Sequence, residues 1–179
     1  MGRLISQVLD MSRLHGGIGL GLSLEKADLV SLVRDMVDES LVARSGRAVH
    51  VQLPARLEVW MDRDRMTQVL ANLLGNARHH GTIGKVITVE LSSTESEAVL
   101  TVGNEAAPLS DEVLAKLFDP LKRTSVGNTR NPGGLGLGLF IANEAVKGHN
   151  GSLTYSYEIL RVCFTVKLPV IPPALAKVV

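Results

Sequence analysis

The chain has 179 residues, 45% apolar and 21% charged, enough for one buried core and too ordinary in composition for wholesale disorder. A net charge of +1 and 3% aromatic content exclude the basic, base-stacking surface that a nucleic-acid partner requires. The one cysteine, Cys163, excludes an internal disulfide or a cysteine metal cage and reads as a small core residue in an apolar stretch.

In chain order, Leu4, Val8 and Met11, with Ile5 and Leu9 alongside, recur at helical spacing over residues 2 to 15. One apolar stripe on such a helix calls for a partner helix. The run Gly16 to Leu22 holds four glycines in six residues and reads as a linker. Asp28 caps a second helix to about residue 44, burying Leu29, Leu32, Val33, Met36, Val37 and Leu41. Two short strands are predicted near 49 to 53 and 57 to 61. A long helix starts at Asp62 or Arg63, turns Met66, Val69, Leu70, Leu73 and Leu74 inward, and stops near Gly81. Residues 86 to 92 and 98 to 103 alternate as paired antiparallel strands. A short helix over 111 to 118 precedes a glycine- and asparagine-rich loop at 124 to 134 and a helix from about 135 to 148. Strands near 152 to 157 and 161 to 168 come last, and Pro169, Pro172 and Pro173 end the regular structure. The expected fold is a two-layer α/β sandwich: a mixed, mostly antiparallel sheet covered on one face by helices, plus the N-terminal helix. Its expected division is residues 1–22 as helix and linker, 23–171 as the main domain and 172–179 as a tail. No apolar stretch is long enough to span a bilayer and no secretory signal opens the chain, so a cytoplasmic segment without membrane contact is expected.

Two segments carry chemistry. In Asn131-Pro-Gly-Gly-Leu-Gly-Leu-Gly-Leu-Phe-Ile-Ala-Asn-Glu, Gly134, Gly136 and Gly138 alternate with leucines and run into a helix. Bare backbone admits a polyphosphate closely, and the helix adds its positive end. The dinucleotide pattern fails because position 139 is leucine, and the Walker ending is missing. The plain alternative for these glycines is a hinge or close helix packing. In the long helix, Asn72 and Asn76 stand four apart, so both amides share one edge. Their oxygens suit a hard cation such as Mg²⁺. The alternative of solvated asparagines is weakened by their neighbours Leu73, Leu74 and Ala77. Arg78, His79 and His80 cluster at the end of that helix.

Together these residues resemble the catalytic, ATP-binding domain of sensor histidine kinases, in the Bergerat-fold superfamily shared with gyrase and MutL. Residues 62 to 80 look like its N box and residues 133 to 141 like its second glycine box. Leu117-Phe118-Asp-Pro-Leu-Lys-Arg123 looks like its F box, and Val102-Gly-Asn104-Glu-Ala-Ala-Pro-Leu109 stands in the place of its first glycine box. His149-Asn-Gly151 and the strand ending in Pro169 are similar to its closing hairpin, and residues 1 to 14 to the end of its dimerisation-helix hairpin. Four boxes in order, over nearly the whole chain, make the resemblance specific.

The resemblance implies ATP and Mg²⁺ as ligands, with Asn76 as metal ligand and Asn72 beside it. ATPase relatives have a glutamate where Asn72 stands; an amide takes no proton, which suits transfer to a side chain rather than hydrolysis. It implies that Gly133, Gly134, Leu135, Gly136, Leu137 and Gly138 cradle phosphates, that Asn104 faces adenine, and that Phe118 begins a lid. His79 stands where the family has a phosphate-binding lysine, with His80 beside it. Arg123 and Lys122 are candidates for the phosphates, against a reading as ordinary surface charge. Asn104, Ala106 and Pro108 replace an aspartate and two glycines, which predicts weaker ATP binding, since an amide accepts less strongly than a carboxylate and Ala106 narrows the backbone. None of the histidines 15, 50, 79, 80 and 149 has the family's phospho-acceptor context. The acceptor is then expected on a dimerisation domain outside this chain, in a parent expected to be a homodimer with a response regulator downstream. The rival expectation is a regulatory pseudokinase, favoured by Ala106 and His79. A third is a serine kinase of the anti-sigma type, which the dimerisation-helix resemblance argues against.

Overall fold

The computed structural model describes residues 2–42, 48–120 and 137–171. Five helices are described: α1 (Gly2–His15), α2 (Leu29–Val42), α3 (Arg63–His80), α4 (Asp111–Leu114) and α5 (Gly138–Gly148). The strands are β1 (Glu25–Asp28), β2 (Val49–Gln52), β3 (Glu58–Met61), β4 (Ile87–Ser93), β5 (Glu97–Glu105), β6 (Ser152–Glu158) and β7 (Arg161–Pro169).

The main sheet has the order β2-β4-β5-β7-β6, with β2 parallel to β4 and the other pairs antiparallel. Period-two alternation decides which face is covered. Ile87, Val89 and Leu91, then Ala98, Leu100 and Val102, then Val162, Phe164, Val166 and Leu168 are all buried. The residues between them are half-buried or exposed. Helices α2, α3 and α5 supply the other side of this core through Leu29, Val33, Met66, Leu70, Leu73, Ala142 and Val146. Each leucine-sized side chain so buried contributes roughly 1.5–3 kcal/mol. The result is the two-layer α/β arrangement expected from the sequence.

Three local differences from the sequence reading have physical reasons. Strand β1 was not anticipated, because Glu-Lys-Ala-Asp carries no alternating apolar pattern. It exists by pairing with β3, from Glu25↔Met61 to Asp28↔Glu58, with a Lys26–Glu58 ion pair at 3.2 Å. Asp28 still opens α2: its Oδ1 accepts from the Val30 N–H and the Leu57 N–H, both at 3.1 Å. The expected helix over 111 to 118 is one α-helical turn, Ser110-capped, followed by hydrogen-bonded turns to Phe118. Cys163 lies half-buried on the uncovered face of the sheet rather than in the core, beside Gly103, and its burial pushes the thiol pKa up.

Helix α3 is fixed at its start by a dense set of polar bonds. The Asp62 carboxylate accepts from Arg65 N–H at 3.0 Å, capping the helix, and from Ser23 N–H at 2.9 Å, tying down the linker. Burial disfavours that charge, but the two backbone donors outweigh it and hold the carboxyl below its usual range. From the end of α5, buried His149 accepts the Asp62 N–H on Nε2 at 2.9 Å and donates Nδ1–H to the Ala145 carbonyl at 2.7 Å. That pattern requires the neutral ring, and burial pushes its pKa down accordingly.

Candidate functional site

Asn72 lies in the second half of α3, buried to 3% exposure on the side of α5. Gly138, the first residue of α5, stands directly against it. A Cβ built on Gly138 would sit 3.0 Å from the Asn72 Oδ1 and 3.3 Å from its Cγ. A methyl at this position would require the asparagine amide to give by a few tenths of an ångström. Two motifs more than sixty residues apart are thereby joined. Asn76, one turn further along α3, is half-buried. Leu137 is buried at the N-cap of α5 and offers no side-chain acceptor to the helix's first turn.

Asn104 is placed by the sheet. It follows Leu100 and Val102 at period two, so it lies on the helix-covered face near the end of β5 and is buried to 5% exposure. Its Nδ2 leans on the Glu105 carbonyl at 3.5 Å. Next to it, the Glu105 carbonyl accepts from Thr82 N–H at 2.7 Å, which fastens the end of β5 to the turn leaving α3. Beyond β5 the chain is pinned to the last hairpin. Ala106 N–H donates to the Leu160 carbonyl at 3.2 Å and Leu109 N–H to the Tyr155 hydroxyl at 3.1 Å. Ala106 and Phe118 are half-buried against the core.

His79 and His80 are both exposed at the end of α3. Desolvation by the surrounding protein, followed by the neighbouring His79, pushes the His80 imidazole below its ordinary pKa, so it is neutral near pH 7. Arg123, Gly133, Gly134, Leu135 and Gly136 lie outside the described residues, as does Lys122. Of the residues singled out in the sequence, Asn72 and Gly138 meet where α3 passes α5, with Leu137 next to Gly138 and Asn76 one turn further along α3; Asn104 lies near the end of β5, Ala106 just beyond it, and Phe118 packs on the core. Sequence reasoning missed His149 as the strut joining α5 to the cap of α3. Its partner is 87 positions away, and no local pattern announces it.

Comparisons with known proteins bear on the family and the fold. Residues 61–172, more than half of the chain, match the family described as histidine kinase-, DNA gyrase B-, and HSP90-like ATPase. The chain is 42% identical over 170 residues to a bacteriophytochrome of Pseudomonas aeruginosa, covering 95% of this chain and 23% of that protein. It is 32% identical over 168 residues to a probable sensor histidine kinase, TcrY, of Mycobacterium tuberculosis, covering 93% and 35%. It thus spans about a quarter to a third of the length of these relatives. Among solved structures it resembles the Acinetobacter baumannii histidine kinase AdeS, with a TM-score of 0.75, 21% identity and coverage of 94% and 78%. It also resembles the catalytic domain of histidine kinase ThkA, with a TM-score of 0.72, 23% identity and coverage of 84% and 98%. At those identities the likeness is one of fold. Among the described residues no helix is long and apolar enough to cross a membrane. The chain belongs to the histidine kinase-, gyrase- and HSP90-like ATPase family, as an ATP-binding catalytic domain of the sensor histidine kinase kind.

Proposed function

We propose that this domain binds ATP with Mg²⁺ where α3 meets α5 and presents the γ-phosphate to a histidine that lies outside the chain. The observation that carries the reading is the Asn72 amide set against the bare Cα of Gly138. It sets an amide oxygen beside bare backbone at the start of α5, the kinds of group that a triphosphate and its cation use. Asn76 would hold the Mg²⁺ with Asn72 beside it, and the ion would neutralise charge on the phosphates. Leu137 and Gly138, with residues 133–136 before them, would receive the phosphates at the positive end of α5. Asn104 would accept from the adenine edge, and Ala106, Phe118, His79, His80 and Arg123 would complete the surroundings.

The chain's part in the reaction is positioning. An imidazole nitrogen attacks the γ-phosphorus in line, the bond to the β–γ bridging oxygen breaks, ADP leaves, and the ring proton passes to solvent. Asn72, the side chain set against Gly138, is an amide and takes no proton from water. The proposal therefore predicts transfer rather than hydrolysis.

We divide the chain into residues 1–22 as the end of a dimerisation helix with its linker, 23–171 as the ATP-binding unit and 172–179 as a tail. The partners that follow are a histidine-bearing dimerisation domain, a second copy of the parent and a response regulator. The neighbour ThkA, solved in complex with the response regulator TrrA, aligns with 96% of this chain at a TM-score of 0.75 and 23% identity. The compartment proposed is the cytoplasm. Mixing the chain with γ-labelled ATP, Mg²⁺ and a separately made dimerisation domain tests the proposal. Label on that domain's histidine is expected. Absence of both labelling and ATP binding would establish the pseudokinase, the reading that Ala106 and His79 favour.

A further inference from the structure

Helix α1 meets the domain through Leu14, which packs against the main core, and through two further contacts, one polar and one apolar. Asp10 is buried to 4% exposure, and both carboxylate oxygens are used. Oδ1 accepts from Arg65 Nη1 at 2.8 Å and Oδ2 from Gln68 Nε2 at 2.8 Å. Arg65 also donates to Gln68 Oε1 at 3.0 Å and, through Nη2, to the Leu20 carbonyl at 3.3 Å. The three side chains form a closed ring that clips α1 and the linker to α3. Next to Asp10, Met11 packs with Leu137, Ile141 and half-buried Phe140 in an apolar cluster separate from the main core. Between α1 and α3 an open crevice of about 530 Å³ runs past Ser6, Gln7, Arg13, Thr67 and Ala71. A helix fixed by one polar ring, Met11 and Leu14, beside an unfilled crevice, is held less firmly than a core helix.

The ring and Met11 touch both walls of the candidate site. Arg65, Gln68, Asn72 and Asn76 follow one another at spacings of three, four and four, which sets them along one edge of α3. Leu137, covered by Met11, immediately precedes Gly138, which faces Asn72. We propose that docking of α1 and occupancy of the nucleotide site are thermodynamically linked. Asp10 and Met11 act as positioning residues: they hold the edge of α3 and the start of α5 in the relation that receives the triphosphate. By reciprocity, nucleotide tightens α1 onto the domain. This inference rests on the reading of the site as one for MgATP.

The test uses the full 179-residue chain as wild type, Asp10→Asn, Met11→Ala and Met11→Leu. Affinity for a non-hydrolysable ATP analogue with Mg²⁺ is read by calorimetry, and amide exchange is read with and without the analogue. The analogue is expected to slow exchange over residues 7–14 of the wild type. Asp10→Asn and Met11→Ala are expected to weaken binding about fivefold or more and to abolish that slowing, with exchange in β4 and β5 unchanged. Met11→Leu, which conserves volume, is expected to restore both. A purely structural role would lower Tm and leave affinity intact. If the wild type binds the analogue but residues 7–14 exchange at the same rate, or the variants bind equally well, the linkage is wrong and the site stands. Should a variant lose protection in β4 and β5, the wild-type exchange result and Met11→Leu still decide. If the wild type binds no nucleotide, the site reading fails and the linkage falls with it.

Discussion

Along one edge of α3 the first half and the second half carry polar side chains with different employment. Asp62, Arg65 and Gln68 in the first half are engaged by the protein itself: Ser23, His149, Asp10 and the Leu20 carbonyl all reach that end. In the second half Asn72 is turned toward a glycine kept bare, Asn76 is half-buried, and His79 and His80 are exposed at the end. One helix thus serves as a strut at its start and, in the function proposed, as a wall of the nucleotide site at its end. Substitutions in the first half should cost stability, and those in the second half should cost ligand.

The largest expected effect is that of Asn76→Ala, which should lower MgATP affinity about 100-fold while leaving Tm within a degree or two. Calorimetric titration beside a thermal melt separates the two readouts. A smaller loss of affinity is expected for Gly138→Ala, because the new methyl presses on the Asn72 amide. Its stability should change little, since at the first residue of α5 alanine gains only part of its helix preference against the pressure on Asn72. If instead it loses stability and keeps its affinity, the bare Cα serves packing, and the contrast between the halves of α3 weakens. Asp62→Ala should do the reverse: unfolding free energy falls by about 1 kcal/mol through loss of the cap, and affinity per folded molecule is unchanged.

The gentlest probe is pH. His149 is neutral in the fold with a pKa below its unfolded value near 6.5, burial being the larger cause. The unfolded chain therefore binds the extra proton first on acidification. The stability contributed by this ring is fully present above about pH 6.5 and declines as pH falls from there toward the folded-state pKa. The slope is at most about 1.4 kcal/mol per pH unit. Denaturant melts at pH 7.5 and pH 5.5 on the wild type and His149→Gln measure it, and the variant should show the shallower decline.

Much of this arrangement was legible in the sequence because it is periodic. The inward face of α3 follows helical spacing from Met66 to Leu74, and period two from Ala98 carries Asn104 onto the covered face of the sheet. That the asparagines of α3 and the glycines before α5 serve one site was expected only through the family resemblance, and the direct contact of Asn72 with Gly138 was not expected. What stayed hidden is what depends on distant partners. Strand β1 exists because β3 offers it a ladder, and its own four residues give no signal. Nothing in the sequence singles out Asp10 or Arg65, yet they meet 55 positions apart in a part-buried ring. His149 looks like a loop histidine beside Asn150 and Gly151, and its strut role appears only when α5 ends over the cap of α3.

The central claim, that α3 and α5 enclose a nucleotide, is tested most directly by a crystal structure of the chain with a non-hydrolysable ATP analogue and Mg²⁺. The account predicts the metal on the amide of Asn76, the phosphates at Leu137 and Gly138, and the adenine edge within hydrogen-bond reach of Asn104. An analogue seated elsewhere on the domain, touching none of Asn76, Leu137 and Gly138, would contradict it.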